Sequence, residues 1–204
     1  MTHDEKTIIL CAFRYAVYSD LEDSAPIIEF IGKNLDDYDV SDMETLLDDV
    51  HFSLQFLKNA GRREITHIRA FGNRLKRTIK EREKADGVFP KPRTTRTPTF
   101  FIGDTGFSRF LIVMAFAYAA PRHSYMFGLL QGITRPYIEN FTKNELRFVI
   151  AACGKNFPDK AFGGDSDQIA VSSFIEDLEA LMKSKPQGNG ESYMARTNLS
   201  KVLF

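Results

Sequence analysis

Residues 110–120, FLIVMAFAYAA, form an unbroken apolar run of 11 residues, and Pro121 follows directly. A helix that crosses a bilayer needs roughly 20 apolar residues, so this run is too short for a membrane span. Thr105 or Ser108 can cap the start of a helix here, and proline, which has no backbone N–H, stops it. The pattern predicts a helix buried in the core of a soluble protein.

Similar start signals recur along the chain. In a capping box, a hydroxyl and a carboxylate three residues apart satisfy free backbone N–H groups at a helix start. Such boxes are predicted at residues 2–5, 41–44 and 142–145. Pro26 and Pro136 each follow a Ser or Thr by two residues, which predicts a helix start at each place because proline suits a first turn. These signals predict a chain of short helices.

Glycines that suit the left-handed residue after a helix mark the predicted helix ends at Gly61, Gly87 and Gly154. Residues 88–104 contain three prolines and a run of threonines, which predicts an extended connection rather than a helix. We therefore expect a mainly α protein, with bundle-like domains of about eight helices and one extended Pro/Thr-rich connection.

The predicted organisation has four parts. Residues 1–87 form an acidic helical part that ends in a basic amphipathic helix, and residues 88–104 form the extended connection. Residues 105–184 form a second helical part. Residues 185–204 contain PQGNG and little periodicity, which predicts a flexible tail.

The composition is that of a globular protein, with 204 residues, 43% hydrophobic residues, 18 Phe and no Trp. The N-terminal sequence MTHDEKTIIL has no positively charged start and no small-residue cleavage site, so we expect no secretory signal. Cys11 and Cys153 are too few for a disulfide framework, and we expect two core thiols in a reducing compartment. These observations predict a cytoplasmic protein without a membrane segment.

Charge is distributed unevenly along the chain, although the formal net charge is zero. Residues 1–50 carry 13 acidic and 3 basic side chains, whereas residues 51–100 carry 13 basic and 4 acidic ones. Such an asymmetry indicates a polyelectrolyte partner. It has a second explanation, which is that the two segments neutralise each other within one chain or across a homodimer.

The basic residues are densest in residues 61–87, GRREITHIRAFGNRLKRTIKEREKADG. From Ile65 to Ile79, apolar residues and one glycine recur at steps of three and four, which predicts an amphipathic helix with cations on its other faces. Arginines among aromatic residues can hold phosphates and stack on bases, and Phe100 and Phe101 follow Arg93 and Arg96 within the connection. The predicted binding residues are Arg62, Arg63, Arg69, Arg74, Lys76, Arg77, Lys80, Arg93 and Arg96.

Three interpretations of these charges stay open. The cations can form a solvated helix face, because an amphipathic helix must turn polar groups outward. They can dock on the acidic N-terminal third, or they can contact DNA, RNA or a protein outside the chain. The acidic residues in turn can imitate a row of phosphates and occupy a nucleic-acid-binding cleft of another protein.

Signals of metal or catalytic chemistry are weak in this sequence. Calcium-loop spacing is present at Asp37, Asp39, Ser41 and Asp48. The glycine and the final glutamate of such a loop are absent, and the predicted capping box explains the same region. The histidines show no paired ligand spacing and there is no CxxC motif, while a helix cap explains Asp165 and Asp167 better than an acid–base pair. We expect no metal, no cofactor and no enzymatic activity.

The segment CAFRYA, residues 11–16, opens a region that resembles a group of small hypothetical proteins of tailed bacteriophages. The resemblance covers residues 8–50, and this chain continues with VYSD where the group has a Leu-Gly-Arg and a Tyr. It implies a phage or prophage origin and brings no catalytic residues. Within the motif, the small side chains of Cys11, Ala12 and Ala16 are predicted to pack closely. Arg14 is predicted to be a buried or interface ion-pair partner.

We expect a non-catalytic accessory protein of a phage or mobile element that acts in the cytoplasm of the host cell. Its predicted role is to bind a host protein or nucleoprotein complex, such as a bacterial defence system, and to inhibit or redirect it. The alternative is a nucleic-acid-binding module that uses the basic stretch of residues 58–96 on phosphate. A homodimer held by opposite charges fits the same charge distribution.

Overall fold

In a computed structural model of the chain, the described residues are 1–19, 24–56, 62–84, 105–121, 124–155, 165–186, 193–197 and 203. They form eight α-helices, two short 3-10 helices and no strand, which confirms the prediction of a mainly α protein with about eight helices. The α-helices are α1 (His3–Ser19), α2 (Ser24–Lys33), α3 (Val40–Phe56), α4 (Arg62–Lys84), α5 (Gly106–Ala119), α6 (Ser124–Ile138), α7 (Lys143–Lys155) and α8 (Asp165–Ser184). The 3-10 helices are Leu35–Asp37 and Tyr193–Arg196. The predicted extended connection, residues 88–104, lies outside the described residues.

The chain forms two compact units, and α1 is divided between them. The N-terminal unit comprises Met1 and Ala16–Thr99, and it contains α2, α3 and α4. The C-terminal unit comprises Thr2–Tyr15 and Phe100–Phe204, and it contains α5 to α8. Most of α1 therefore belongs with helices far downstream, an assignment that the order of elements along the chain did not indicate.

Helix α5 is the buried element that its apolar run predicts. Every residue from Phe110 to Ala120 is buried, and α6, α7 and the 3-10 helix Tyr193–Arg196 pack against α5. The Thr105 hydroxyl caps the helix by accepting from Ser108 N at 3.1 Å, and the Ser108 hydroxyl accepts from Thr105 N at 3.2 Å. None of the described helices combines the length and the apolar composition that a membrane crossing requires.

The last described part of the chain packs against the start of α5. The centroid of the Tyr193 ring lies 5.8 Å from that of the Phe110 ring, in an edge-to-face arrangement. A Cβ atom at Gly106 would lie 2.6 Å from the Cβ of Tyr193, so this contact requires glycine. Met194 is fully buried. The 3-10 helix Tyr193–Arg196, within the predicted flexible tail of residues 185–204, thus packs against α5, whereas residues 187–192, 198–202 and 204 lie outside the described residues.

Two of the three predicted capping boxes are confirmed. At the start of α1, Thr2 N donates to Glu5 Oε2 at 2.7 Å, and Glu5 N donates to the Thr2 hydroxyl at 3.2 Å. At the start of α7, Thr142 N donates to Glu145 Oε2 at 2.8 Å, and Glu145 N donates to the Thr142 hydroxyl at 3.3 Å. These boxes form as predicted because all of their contacts lie within four consecutive residues.

The capping box predicted at residues 41–44 is wrong, because α3 starts earlier. Asp42 N donates to Asp39 Oδ1 at 2.8 Å, and Asp39 N donates to Asp42 Oδ2 at 3.2 Å. Aspartate caps a helix as well as serine does, so two overlapping signals compete and the earlier one is used. Ser41 then lies in the first turn of α3. Asp39, which belongs to the calcium-loop pattern, therefore has a structural role.

Two predicted helix boundaries are also wrong, because α6 and α7 run past them. Pro136 lies inside α6, and the Thr134 hydroxyl donates to Leu130 O at 2.6 Å instead of capping a new helix. Pro136 has no N–H, so α6 lacks one backbone hydrogen bond there. The helix tolerates this loss because it ends within the same turn. Gly154 lies in the last turn of α7, which ends at Lys155. A single glycine costs a helix only about 0.5–1 kcal/mol, so it does not by itself decide where a helix ends.

The N-terminal unit is built on the packing of α4 against α3 and α2. The predicted apolar stripe of α4 is confirmed, since Ile68, Leu75 and Ile79 are buried. At Gly72, in the same stripe, a Cβ atom would lie only 2.9 Å from Val50 Cγ1 of α3, a distance at which one side must shift. The two helices approach this closely because the position has no side chain.

Replacing Gly72 by alanine is expected to destabilise the N-terminal unit by about 1–3 kcal/mol, because the added methyl group overpacks the contact with Val50. At an exposed helix position, replacing glycine by alanine stabilises the helix by about 1 kcal/mol. A loss of stability in Gly72→Ala would therefore show that the added methyl group clashes with Val50. Chemical denaturation measures it, with Asn73→Ala as the exposed neighbouring control. An unchanged or raised midpoint for Gly72→Ala would contradict this packing.

Candidate functional site

Helix α4 carries the core of the basic segment. Its 23 residues include nine Lys and Arg against three Glu. Since one stripe of the helix is buried against α3, these cations are confined to the remaining faces. The tertiary contacts of α4 decide which of them face solvent and which contact the rest of the N-terminal unit.

Four of the predicted binding residues form one exposed strip along α4. We call this strip the cationic row, and its members are Arg69, Lys76, Arg77 and Lys80. At about 3.6 residues per turn, the row occupies an arc of about 100° around the helix axis. At a rise of about 1.5 Å per residue, it extends about 16 Å along that axis. Lys84 is also exposed and continues the row by about 6 Å.

The side chains of the cationic row have few anionic neighbours. Arg77 Nε lies 3.8 Å from Glu81 Oε1, and both side chains are largely exposed. An exposed pair of this kind contributes at most about 1 kcal/mol, so it does not neutralise the row. Arg69, Lys76 and Lys80 make no ion pair with any carboxylate in the described part of the chain. The row therefore presents its charge to solvent.

Arg74, another predicted binding residue, is also exposed, but it lies about 60° around the helix axis from Arg77 and its guanidinium contacts the N-terminal unit. Its Nη2 donates to the carbonyl oxygen of Gly32 at 2.7 Å, in the last turn of α2. Carbonyl groups at a helix C-terminus lack helical partners and carry partial negative charge, so an arginine there stabilises the helix end. A Cβ at Gly32 would lie 2.9 Å from Arg74 Nη1, so glycine makes room for the contact. Arg74 is part of the scaffold rather than of the cationic row.

Arg82, which was not among the predicted binding residues, holds the segment between α2 and α3. Its Nη2 donates to Leu35 O at 2.9 Å, and its Nη1 donates to Tyr38 O. Asp36 Oδ1 lies 3.6 Å from Nη2, but the Asp36 side chain is 86% exposed whereas the Arg82 side chain is only 12% exposed. The contact is therefore mainly with backbone carbonyls. A signal was available in the sequence, since Arg82 follows Ile79 by three residues and so falls beside the buried stripe.

The carboxylates of the acidic third form both local contacts and contacts with residues distant in sequence. Lys33 Nζ donates to Glu29 Oε1 at 2.5 Å, and this hydrogen bond lowers the pKa of the Glu29 carboxyl group. Asp49 is buried and accepts from the Tyr18 hydroxyl at 2.7 Å. Asp48, on the outer side of α3, is exposed. In the described residues, Arg74 and Arg82 contact three backbone carbonyl groups of the acidic segment, and Arg82 also lies 3.6 Å from the Asp36 carboxylate.

The remaining predicted binding residues fall where side chains are not described. Arg62 and Arg63 lie in the first turn of α4, and Arg93 and Arg96 lie in the undescribed connection. The structure thus brings four of the nine predicted residues together in the cationic row. It assigns a fifth, Arg74, to the scaffold.

A second cluster of charged side chains lies in the C-terminal unit and has a structural role. Glu145 is buried and accepts hydrogen bonds from Thr142 N and from Arg109 Nη1, each at 2.8 Å. The Arg109 guanidinium lies 5.6 Å from the centre of the Phe141 ring. This network joins the start of α7 to α5. Among the described residues, no group of three or more His, Cys, Asp or Glu side chains is placed to hold a metal ion.

Both cysteines lie in the core. Cys11 and Cys153 are buried free thiols, and burial raises the pKa of Cys153 well above its usual range. A thiol that stays protonated at neutral pH is a poor nucleophile.

In the CAFRYA motif, Ala16 is buried as predicted, and the Arg14 guanidinium lies 5.9 Å from the centre of the Tyr118 ring of α5.

Comparisons of the chain with protein families, with curated proteins and with solved structures find no match. Helix α4 itself carries a row of exposed cations, and its other sides are held by α2, α3 and the segment between them.

Replacing Arg82 by methionine keeps most of the apolar stem and removes the guanidinium. The free energy of unfolding of the N-terminal unit is expected to fall by about 2–4 kcal/mol, because the carbonyl groups of Leu35 and Tyr38 lose a charged donor. Lys80→Met is the matched control, and its effect should stay within about 0.5 kcal/mol because Lys80 is exposed. Chemical denaturation followed by circular dichroism compares the two variants. Equal midpoints would contradict the scaffold role of Arg82.

Neither thiol is expected to react with a thiol reagent such as dithionitrobenzoate at neutral pH while the protein is folded. Cys11 and Cys153 lack solvent access, and the raised pKa keeps the Cys153 thiol protonated. Both should react at once in denaturant, which serves as the internal control. Rapid labelling of Cys153 in the native protein would reopen the case for a nucleophilic cysteine.

Proposed function

We propose that this chain is a non-catalytic protein that binds nucleic acid along the phosphate backbone, using the cationic row of α4. The observation that carries the proposal is the exposure of all four row members on a helix whose other sides are held in place. Lysines and arginines that neutralise phosphates release condensed counterions, and this release drives binding. A row fixed on a packed helix loses little conformational freedom on association, which favours affinity.

The row supports contact with phosphates rather than with bases. None of the large exposed apolar side chains in the described part of the chain lies on α4. Single-stranded nucleic acid is usually held by aromatic stacking as well as by charge, so the proposed ligand is a duplex held without base readout. A duplex carries one charge per about 1.7 Å of its axis, so a row of about 16 Å faces several phosphates at once.

A second candidate function, inhibition of a host protein or nucleoprotein complex, is favoured by the acidic surface of the same unit. Asp36, Asp39, Glu44 and Asp48 are exposed on or beside α3. Such a cluster imitates phosphates toward the cationic cleft of another protein. The resemblance to tailed-phage proteins supports this role in the cytoplasm of a bacterial host, for instance against a defence system. A homodimer is compatible with either candidate.

The salt dependence of duplex binding tests the proposal. Four phosphate contacts predict a slope of log K against log salt near −3.6, from about −0.9 per contact. The double variant Lys76→Gln/Lys80→Gln is expected to make that slope shallower by about 1.8, to the same extent for unrelated sequences, because backbone contacts carry no sequence information. Fluorescence anisotropy with labelled duplexes at several salt concentrations measures the slope.

A matched control removes the same charge elsewhere. The variant Lys143→Gln/Lys183→Gln alters the C-terminal unit and should leave the slope unchanged. Equal changes in both double variants would mean that only net charge matters, which contradicts a role for the row. Absence of duplex binding by the native protein at low salt would also contradict the proposal. In that case the acidic surface becomes the leading candidate, and its charge reversal should abolish binding of a host protein.

A further inference from the structure

Helices α6 and α8 of the C-terminal unit run in the same direction, and a cleft lies between them. At one end, the Phe174 ring of α8 packs edge-on against the Phe127 ring of α6, with centroids 5.6 Å apart. At the other end, Lys185 Nζ, just past α8, donates to Glu139 O, just past α6. The cleft between these two contacts has a volume of about 530 Å³, which is typical of a pocket that binds a small molecule.

Apolar side chains line much of this cleft. They are Phe174, Leu178 and Leu181 of α8 and Ile138 of α6. At Gly132 of α6, no described atom from outside the neighbouring helix backbone lies within 4 Å of where a Cβ would be. The cleft is therefore open beside α6 and apolar along α8, which suits a ligand with an apolar group.

Two side chains of opposite charge line the cleft from opposite helices, Arg135 on α6 and Asp177 on α8. Arg135 lies eight residues past Phe127, whereas Asp177 lies three residues past Phe174. At a rise of about 1.5 Å per residue, the two positions therefore differ by about 7.5 Å along the cleft. In the part of the chain that the structure describes, neither side chain forms an ion pair or a hydrogen bond. Both charges thus border the cleft without a protein partner there.

The other charged groups of the cleft lie at its Arg135 end. Glu139 follows Arg135 by one turn, and the Lys185 ammonium group contacts the Glu139 backbone. Two cations and one carboxylate give this end a net positive charge. Asp177, nearer the Phe174 end, gives its part of the cleft a negative charge. A ligand that carries both signs matches this arrangement, whereas an anion would be repelled by Asp177 and a cation by Arg135.

The separation of the two charges selects the kind of ligand. A charge-assisted hydrogen bond is about 2.8 Å long. Two such bonds, with the short body of an α-amino acid between its ammonium and carboxylate groups, span about 8 Å. This length is close to the difference in position between Arg135 and Asp177 along the cleft.

We propose that the cleft binds a free α-amino acid with an apolar side chain. The Arg135 guanidinium donates to the ligand carboxylate, and the Asp177 carboxylate accepts from the ligand ammonium group. The apolar side chain of the ligand contacts Leu178 and Leu181, where its burial stabilises the complex. The site is independent of the duplex binding proposed for α4, because it uses no residue of that helix.

Isothermal titration calorimetry of the full chain tests the site, with leucine and phenylalanine as probes. At least one of them is expected to bind with a Kd of about 1 mM or tighter. For leucine as the bound probe, isocaproate lacks the ammonium group and isoamylamine lacks the carboxylate. Each is expected to bind at least about tenfold more weakly than leucine, because each loses a charge-assisted hydrogen bond. The matching analogues of phenylalanine are hydrocinnamate and phenethylamine.

Variants of the two charged residues identify which group of the ligand each one contacts. Arg135→Gln should bind the amino acid no more tightly than it binds the amine analogue, because the contact with the carboxylate is lost. Asp177→Asn should bind it no more tightly than the carboxylate analogue. Gly132→Leu fills the open side of the cleft and should abolish binding, although leucine favours a helix more than glycine does. Circular dichroism verifies that each variant is folded.

Control variants change charges outside the cleft. Glu179→Gln on α8 and Arg147→Gln on α7 alter exposed side chains that do not line it, and both should leave the affinity unchanged. A folded native protein that binds neither probe at about 10 mM would overturn the proposal. So would analogues that bind as tightly as the amino acid, or an affinity that is indifferent to Arg135→Gln and Asp177→Asn.

Discussion

The close approach of α3 and α4 at Gly72 is the constraint on which the proposed surface depends. Because that position has no side chain, Val50 lies against the backbone of α4, and the helix has one preferred rotation about its own axis. This rotation buries Ile68 and Leu75 and leaves the cationic row in solvent. A helix free to turn would distribute its nine cations in every direction. The contact therefore converts a basic sequence into a one-sided charged surface.

The arginines that anchor α4 contact backbone carbonyl groups, and this leaves the acidic surface in water. Arg74 and Arg82 satisfy carbonyls at the end of α2 and in the segment that follows it. A carbonyl group left without a donor in a partly buried segment costs more than an exposed carboxylate does, because water solvates the carboxylate. The N-terminal unit thus exposes acidic side chains on or beside α3 and basic side chains on α4. Both remain available for recognition by charge.

The packing of the C-terminal unit depends on the elements that contact α5 and on the glycines of α6. A helix that is apolar on every side needs neighbours on every side, and it shares its unit with most of α1 and with the 3-10 helix Tyr193–Arg196. Gly106 permits the contact with Tyr193. Gly128 and Gly132 differ, since no described atom from outside the neighbouring backbone of α6 lies within 4 Å of where their Cβ atoms would be. The same residue type permits a close contact at one place and borders open space at another.

The helical class could be predicted from the chain alone, and so could the burial of α5, the caps of α1, α5 and α7, and the presence of an amphipathic basic helix. These features depend on periodicity and on groups within four residues of one another, which are visible along the chain. The packing of the helices selects which cations of α4 contact backbone carbonyl groups and which do not. Arg74 reaches Gly32 across 42 residues, and Arg82 reaches Leu35 across 47. Periodicity places a residue on a face of a helix. The packing of the helices then determines whether that face contacts a backbone carbonyl group that is distant in sequence.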